Sequence, residues 1–159
     1  MTPTRTPLPE AVQQSVPAQP MTTCLHERSH IVDSQFYGRR YSTTATRRIF
    51  CDHCRFQRWL DVEAALAHAE ADLGIIPAAA AAAIGRAAHV ELLDLGLVQQ
   101  EIQRTGHSLV GLLRVFQTVV EGDAGEYLHY GATTQDIQDT GQSLEMREVL
   151  DELELILRD

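Results

Sequence analysis

Lysine is absent from this chain: all thirteen of its basic residues are arginine. No Schiff-base lysine and no phosphate-loop lysine can therefore come from within the sequence. Cysteine is scarce, with Cys24, Cys51 and Cys54 as the full set, an odd number that cannot close a disulfide framework. Aromatic residues make up only 6%, and Trp59 is the single tryptophan. No apolar run approaches the ~18 residues of a membrane-spanning helix. The opening stretch MTPTRTPLPE also lacks the continuous apolar core of a secretory signal. A cytoplasmic protein with no membrane partner is the expectation.

What is present describes a globular chain. Hydrophobic residues reach 44% over 159 positions, enough for one domain with a real core, since domains most often run ~100–150 residues. The net charge of −9 is unevenly spread. Residues 1–48 carry six Arg against three acids, whereas residues 49–159 carry seven Arg against nineteen. An acidic main body argues against nucleic acid as a partner, because such binding neutralises phosphates with basic side chains. CDHC at 51–54 is a C-x-x-C, and Cys24, His26, His30 and His53 are available in principle to complete a zinc set. A second C-x-x-C or a suitably spaced His pair is missing. Two small residues in the first turn of a helix, with no metal site, is the favoured reading.

Along the chain, residues 1–28 are rich in Pro, Thr and Gln without an apolar period and read as a disordered leader; Met21 is an alternative start. Residues 29–48 are mixed, broken at Gly38, and read as an extended arm. From Ile49 the helical signal is strong. Phe56, Trp59, Leu60, Ala64, Leu66, Ala67 and Leu73 recur near the 3.6 period. Gly74 stops that helix and Pro77 opens the next, the Ala-rich PAAAAAAIGRAAHV. LLDLGLVQQEIQRTG reads as a third helical piece stopped by Gly106, and SLVGLLRVFQTVV as a fourth, bounded by EGDAGE. The last element begins at TTQDIQD. Its apolar stripe, Ile137, Leu144, Val149, Leu150, Leu153, Ile156 and Leu157, runs to the end with no terminating Gly, Asn or Pro. Its outer half is expected to have nothing here to pack on, so the chain is expected to stop inside a helix of a longer protein. The fold class is all-α.

EYLHYGATTQD, at 126–136, is the chain's polar knot. Read structurally, Thr133 caps the last helix by accepting from the amide three residues on, Asp136 reaches back, and Gly131 permits the sharp turn. Read functionally, a helix N-terminus exposes free amides and a partial positive charge, a ready site for a carboxylate or phosphate. Thr134 is not needed for capping, and His129 lies just upstream as a donor. His107, in RTGHSLV, sits at a second loop-to-helix junction, and the two histidines suggest a shared pocket. His26, His30, His68 and His89 read as packing or surface residues, and Trp59 as core.

HYGATTQDIQDTGQSLEMREVL resembles the second signature region of the fumarase/aspartase superfamily, in the branch of adenylosuccinate lyase and 3-carboxy-cis,cis-muconate cycloisomerase. TGHSLVGLLR resembles the first region, a Thr-x-His before an apolar helix. RFQRWLDVEAALAHAEADLGIIP is similar to the branch's N-terminal helix with its Leu-Gly-x-Ile-Pro ending. RRYSTTATRRIF, with Arg40–Tyr41, is similar to the Arg-Tyr pair that begins adenylosuccinate lyases. The likeness runs from about Asp33 to Asp159.

The resemblance implies an N-terminal helical domain over 49–132, then the first helix of a central bundle from 133 to 159, truncated. It implies a homotetramer with each active site drawn from three subunits, and β-elimination of a C–N or C–O bond with no redox cofactor. His107 matches the first-region histidine that orients or assists acid catalysis. Thr105 belongs to the same Thr-x-His. His129, Thr133 and Thr134 match positions contacting the anionic groups of the substrate, and Gln135 occupies the adjacent polar position. Arg40 and Tyr41 match the pair that binds a nucleotide phosphate. The substrate implied is thus an anionic small molecule, a dicarboxylate that can carry such a phosphate. The family's Thr-His-x-Gln-Pro region and its Gly-Ser-Ser-x-x-x-Pro-x-Lys loop do not occur, so no turnover is expected from this chain alone. Gly111 stands where relatives often have Pro. Arg40–Tyr41 leans toward adenylosuccinate and Gly-Ala-Thr-x-Gln-Asp toward the cycloisomerase side; the balance favours an adenylosuccinate-lyase-like enzyme. The alternatives of other classes are a non-catalytic helical interaction module pairing through Leu144–Leu157, and a small zinc protein.

Overall fold

Glycines and short polar caps divide this sequence into its helices. In a computed structural model of the chain, Ile31, Ser34 and residues 36–158 are described. The expected leader, with Cys24 and His26, lies outside them, as does His30 of the expected arm. The chain divides into two units, Met1–Tyr41 and Ser42–Asp159. In the first, a 3-10 turn spans Gly38–Arg40, with the Gly38 amide donating to the Ser34 carbonyl at 2.8 Å.

The described part of the second unit forms six α-helices: α1 Thr44–Ile49, α2 Asp52–Asp72, α3 Ala78–Ala87, α4 Leu95–Thr105, α5 Ser108–Val119 and α6 Thr134–Arg158. No strand occurs among the described residues, and the all-α expectation holds. Helix α1 falls inside the segment expected to be extended. Thr43 and Thr46 account for it: each side chain accepts from the other's backbone amide, at 3.1 and 2.9 Å, a reciprocal cap with Thr where Glu is usual.

Cys51 is the N-cap of α2 and Cys54 lies in its first turn. At the other end Gly74 takes φ 71°. Its amide reaches the Ala71 carbonyl at 2.9 Å, and that of Ile75 reaches Glu70 at 2.8 Å. This is the left-handed stop that glycine allows. Pro77 precedes α3, Asp94 caps α4 through the Gly96 and Leu97 amides, and Gly106 at φ 68° ends α4.

The core is built around α5, where Leu109, Leu112 and Phe116 are fully buried together with Leu60 and Ile84. Helices α4 and α5 form a tight hairpin. A Cβ on Gly111 would fall 2.6 Å from Ile102 Cγ1 and 2.7 Å from the Ile102 amide nitrogen. That contact requires glycine where the family resemblance suggested proline. Helix α6 docks on α2 through Ile137 and Gly141, both buried. Its later apolar residues Leu150, Leu153, Ile156 and Leu157 are exposed, as the sequence pattern led one to expect.

Charge fastens α1, α2 and α6 together. The buried Arg58 guanidinium donates to the Ile49 carbonyl at 3.0 Å and to Glu148 at 2.9 Å, and lies 3.5 Å from Glu145. Arg55 reaches the same Glu145 oxygen at 3.0 Å. Among the described residues, no helix is long and apolar enough to cross a membrane.

Candidate functional site

The polar knot folds as a turn entering α6. Gly131 adopts φ 68°, and α6 begins at Thr134. The Thr133 amide donates to Asp136 Oδ2 at 2.9 Å and the Thr133 hydroxyl donates to the same oxygen at 3.1 Å. Asp136 therefore reaches back as expected, but the Thr133 hydroxyl does not accept from the Asp136 amide. That amide donates to the Thr133 carbonyl at 3.1 Å instead. A hydroxyl beside a carboxylate serves best as a donor, because a hydrogen bond to a charged acceptor is stronger than one from a neutral amide. The Thr133 amide, and after it the hydroxyl, hold the Asp136 carboxyl below the usual carboxylate range. Thr134 is half-buried in the first turn of α6, and exposed Gln135 donates to Asp139 one turn on.

His129 sits just before this turn with a left-handed backbone, φ 59°. Its Nδ1 lies 2.7 Å from Glu63 Oε1, on a side chain that α2 buries completely. Burial pushes the Glu63 carboxyl up, an effect partly offset by His129. Glu70, one helical repeat further along the same face, is pushed up by burial and pulled back by the same histidine. Oε2 of each acid is buried without a hydrogen-bond partner among the described residues. A cleft of about 560 Å³ opens beside Glu70; Tyr130, Gly131, Asp136 and Thr140 are among its other lining residues.

His107 is the N-cap of α5, its Nδ1 accepting from the Val110 amide at 3.4 Å. Thr105 braces that turn: its hydroxyl donates to the Glu101 carbonyl at 2.7 Å and accepts from the His107 amide at 3.3 Å. The neighbouring Ser108 hydroxyl lies 3.5 Å from the Gln138 amide nitrogen of α6, at a cleft of about 310 Å³ also lined by Arg55, Trp59, Gln142 and Glu145. The starts of α5 and α6 thus approach each other. Yet the expected partnership of the two histidines does not take the form of a contact. His129 Nδ1 engages α2, and His107 Nδ1 engages its own helix.

Arg40 and Tyr41 belong to the first unit. Arg40 ends the 3-10 turn, Tyr41 follows it, and both side chains are exposed. Cys51 and Cys54 are free thiols. No group of three or more His, Cys, Asp or Glu among the described residues is arranged to hold a metal ion.

Sequence reading passed over Glu63, Glu70, Arg58 and Gln138. A signal for the first two existed: acids seven residues apart lie on the face of α2 that also carries Trp59, Leu60 and Ala67. A carboxylate within an apolar stripe is costly unless something pairs with it.

No family model matches the chain. It is 40% identical over 131 residues to the N-acetyl-S-(2-succino)cysteine lyase of Enterococcus italicus, covering 82% of this chain and 28% of that protein. It is 45% identical over 120 residues to the adenylosuccinate lyase of Methanothermobacter thermautotrophicus, covering 76% and 26% respectively. Among solved structures, the 3-carboxy-cis,cis-muconate lactonizing enzyme from Pseudomonas putida superimposes with a TM-score of 0.72 at 39% identity, over 77% of this chain and 28% of the other. A fumarate lyase from Mesorhizobium sp. BNC1 gives 0.61 at 39% identity, over 70% and 26%. The chain therefore spans about 28% of the length of the first of these curated relatives.

Proposed function

The chain belongs to the fumarate lyase superfamily, aligned with the N-terminal part of its members, and from that premise we propose that it supplies the anion-binding side of a β-elimination site. The observation that carries this reading is the start of α6. Helix α6 begins at Thr134, just after the turn at Gly131, and His129 lies close enough upstream to act on the Asp136 carboxyl of its first turn. Helix amides and a hydroxyl favour a carboxylate at this point. His107, the N-cap of α5, and Thr105, the last residue of α4, lie on the side where Ser108 meets Gln138, and Gln135 lies in the first turn of α6.

β-Elimination next to a carboxylate needs a base for the adjacent proton, stabilisation of the developing aci-carboxylate, and an acid for the leaving group. On this reading the present residues serve the second need, with His107 assisting the third. The chain alone binds the anion without turning it over. The relatives named for adenylosuccinate and succino-cysteine share a succinyl group, so a dicarboxylate is the common substrate class. Within that class we favour adenylosuccinate, cleaved at C–N to release fumarate as in purine biosynthesis, with Arg40 and Tyr41 for the nucleotide phosphate. A 3-carboxy-cis,cis-muconate-type cycloisomerisation is the alternative. Residues 49–132 would then be an N-terminal domain and 133–159 the start of a central bundle in a cytoplasmic homotetramer. No redox cofactor is required.

The test is fumarate binding by titration calorimetry. Replacing Thr133 and Thr134 together by Val is expected to weaken binding at least about tenfold, since charge-assisted hydrogen bonds are worth ~1.5–3 kcal/mol. Unchanged affinity overturns the anion site. Adenylosuccinate binding no tighter than succinate overturns the nucleotide preference.

A second reading, a helical interaction module, is favoured by the exposed Leu150, Leu153, Ile156 and Leu157. It predicts self-association by sedimentation without any response to fumarate. A chain that stays monomeric at high concentration counts against it and against association through α6.

A further inference from the structure

Among the described residues, His129 is the one non-glycine with a positive φ, 59°. Such a backbone is uncommon outside glycine, though histidine adopts it more often than most. It persists where the surroundings over-determine it. Here the ring is turned inward onto α2, with Nδ1 2.7 Å from Glu63 Oε1 and the Glu63 side chain fully enclosed.

Packing alone does not account for Glu63. A leucine or glutamine would fill the same space without burying a carboxylate, and Glu63 Oε2 finds no partner among the described residues. What the carboxylate does is take one edge of an imidazole. A carboxylate on one ring nitrogen fixes the tautomer and orientation of the ring and leaves the other nitrogen defined for a ligand. The remaining charged groups around His129 are Glu70, on the same face of α2, and Asp136, in the first turn of α6 and tied to Thr133. The ring therefore stands between α2 and the start of α6, facing three carboxylates that an incoming anion would otherwise meet uncompensated.

We infer that Glu63 is a positioning residue: it accepts a hydrogen bond from Nδ1–H of His129 and so directs Nε2 toward the start of α6, where the ring, protonated on both nitrogens once the anion is bound, donates from Nε2–H to a carboxylate of the ligand. This rests on the reading of that helix start as an anion site.

The test uses the full chain in two measurements. Nitrogen-15 spectra of the histidine rings, with His129 assigned by its loss in His129→Gln, are expected to show Nδ1 protonated in the native chain. Glu63→Gln, nearly the same shape, is expected to keep the helical content but release the ring into a mixture of tautomers. Fumarate is the binding probe. Glu63→Gln is expected to weaken it about tenfold, the loss that follows when one charge-assisted hydrogen bond to the ligand is misdirected, and to change it less than about twofold once His129→Gln is present. A native His129 protonated at Nε2 alone overturns the inference, and this result needs no variant. An equal loss with and without His129 also overturns it, because Glu63 would then act through the fold. If the native chain binds no fumarate, the anion site fails as a reading, and the ring spectrum decides by itself whether Glu63 sets the tautomer.

Discussion

Gly141 of α6 lies so close to the Trp59 indole of α2 that an added Cβ would fall 2.6 Å from Cδ1 and 2.8 Å from Nε1. The contact sets how closely the helix that begins at Thr134 docks on the helix bearing Glu63. Gly141→Ala gains roughly 1 kcal/mol of helix propensity. It also forces a buried indole to move, and overpacking costs ~1–3 kcal/mol. A net loss of up to about 2 kcal/mol is expected in urea unfolding. A variant more stable than the native chain would show that the indole moves at no cost.

Arg58 has no counterpart in the sequence reading, yet it holds three elements. Its guanidinium is buried between the Ile49 carbonyl, Glu145 and Glu148. Removing one partner of a buried ion pair costs ~3–5 kcal/mol because the remaining charge is stranded. Glu148 is about one-third exposed and is screened by solvent, so the lower end applies. Arg58→Met is expected to lose about 3 kcal/mol, and Arg58→Met with Glu145→Leu much less. Equal losses in the two proteins would show that Arg58 acts through packing and not through charge.

Glu70 gives the chain a pH dependence of defined sign. Burial raises its folded-state pKa, so above the ordinary Glu value of about 4.3 the native state holds a proton that the unfolded state has released. Its contribution is complete below that value and is lost as pH rises through the raised one. Glu63 acts in the same direction, moderated by His129. Asp136, lowered by Thr133, acts oppositely: its contribution is present at neutral pH and is lost as pH falls through the depressed value. The difference between the native chain and Glu70→Gln isolates the first effect. Urea unfolding across the acid-to-neutral range is expected to show the two equal at low pH and the variant gaining as pH rises. A constant difference would mean that Glu70 ionises alike in both states.

Local chemistry was legible in the sequence. Gly74 and Gly106 stop helices where a left-handed residue is needed, Asp136 reaches back to Thr133, and the α6 stripe runs on past the surface it can cover. Pairings between distant positions were not legible. Glu63 and His129 are 66 residues apart, and Arg58 and Glu148 are 90 apart, so no window along the chain contains both members. The Thr133 hydroxyl departs from its expected capping role because capping rules describe an oxygen facing an amide. Here a carboxylate faces the same oxygen and accepts the hydrogen bond that its hydroxyl donates. Thr43 and Thr46 were passed over for a related reason: their reciprocal cap uses a threonine where the usual pattern has glutamate.

Gly111 joins the fold to the candidate site. Its amide donates to the His107 carbonyl at 3.0 Å, and its bare Cα lets α5 approach the backbone of Ile102 in α4. Unlike the indole at Gly141, a main-chain nitrogen cannot swing aside, so Gly111→Ala must part the two helices. The expected cost is about 2 kcal/mol after the gain in helix propensity. Because His107 begins α5, the same separation displaces its ring relative to Ser108 and Gln138. Urea unfolding should report the loss, and the His107 ring resonances should shift while those of His129, anchored on α2, stay in place. If both histidines move together, the helix starts are coupled more tightly than their separate hydrogen bonds imply. If neither moves and stability is unchanged, the hairpin does not depend on this close approach.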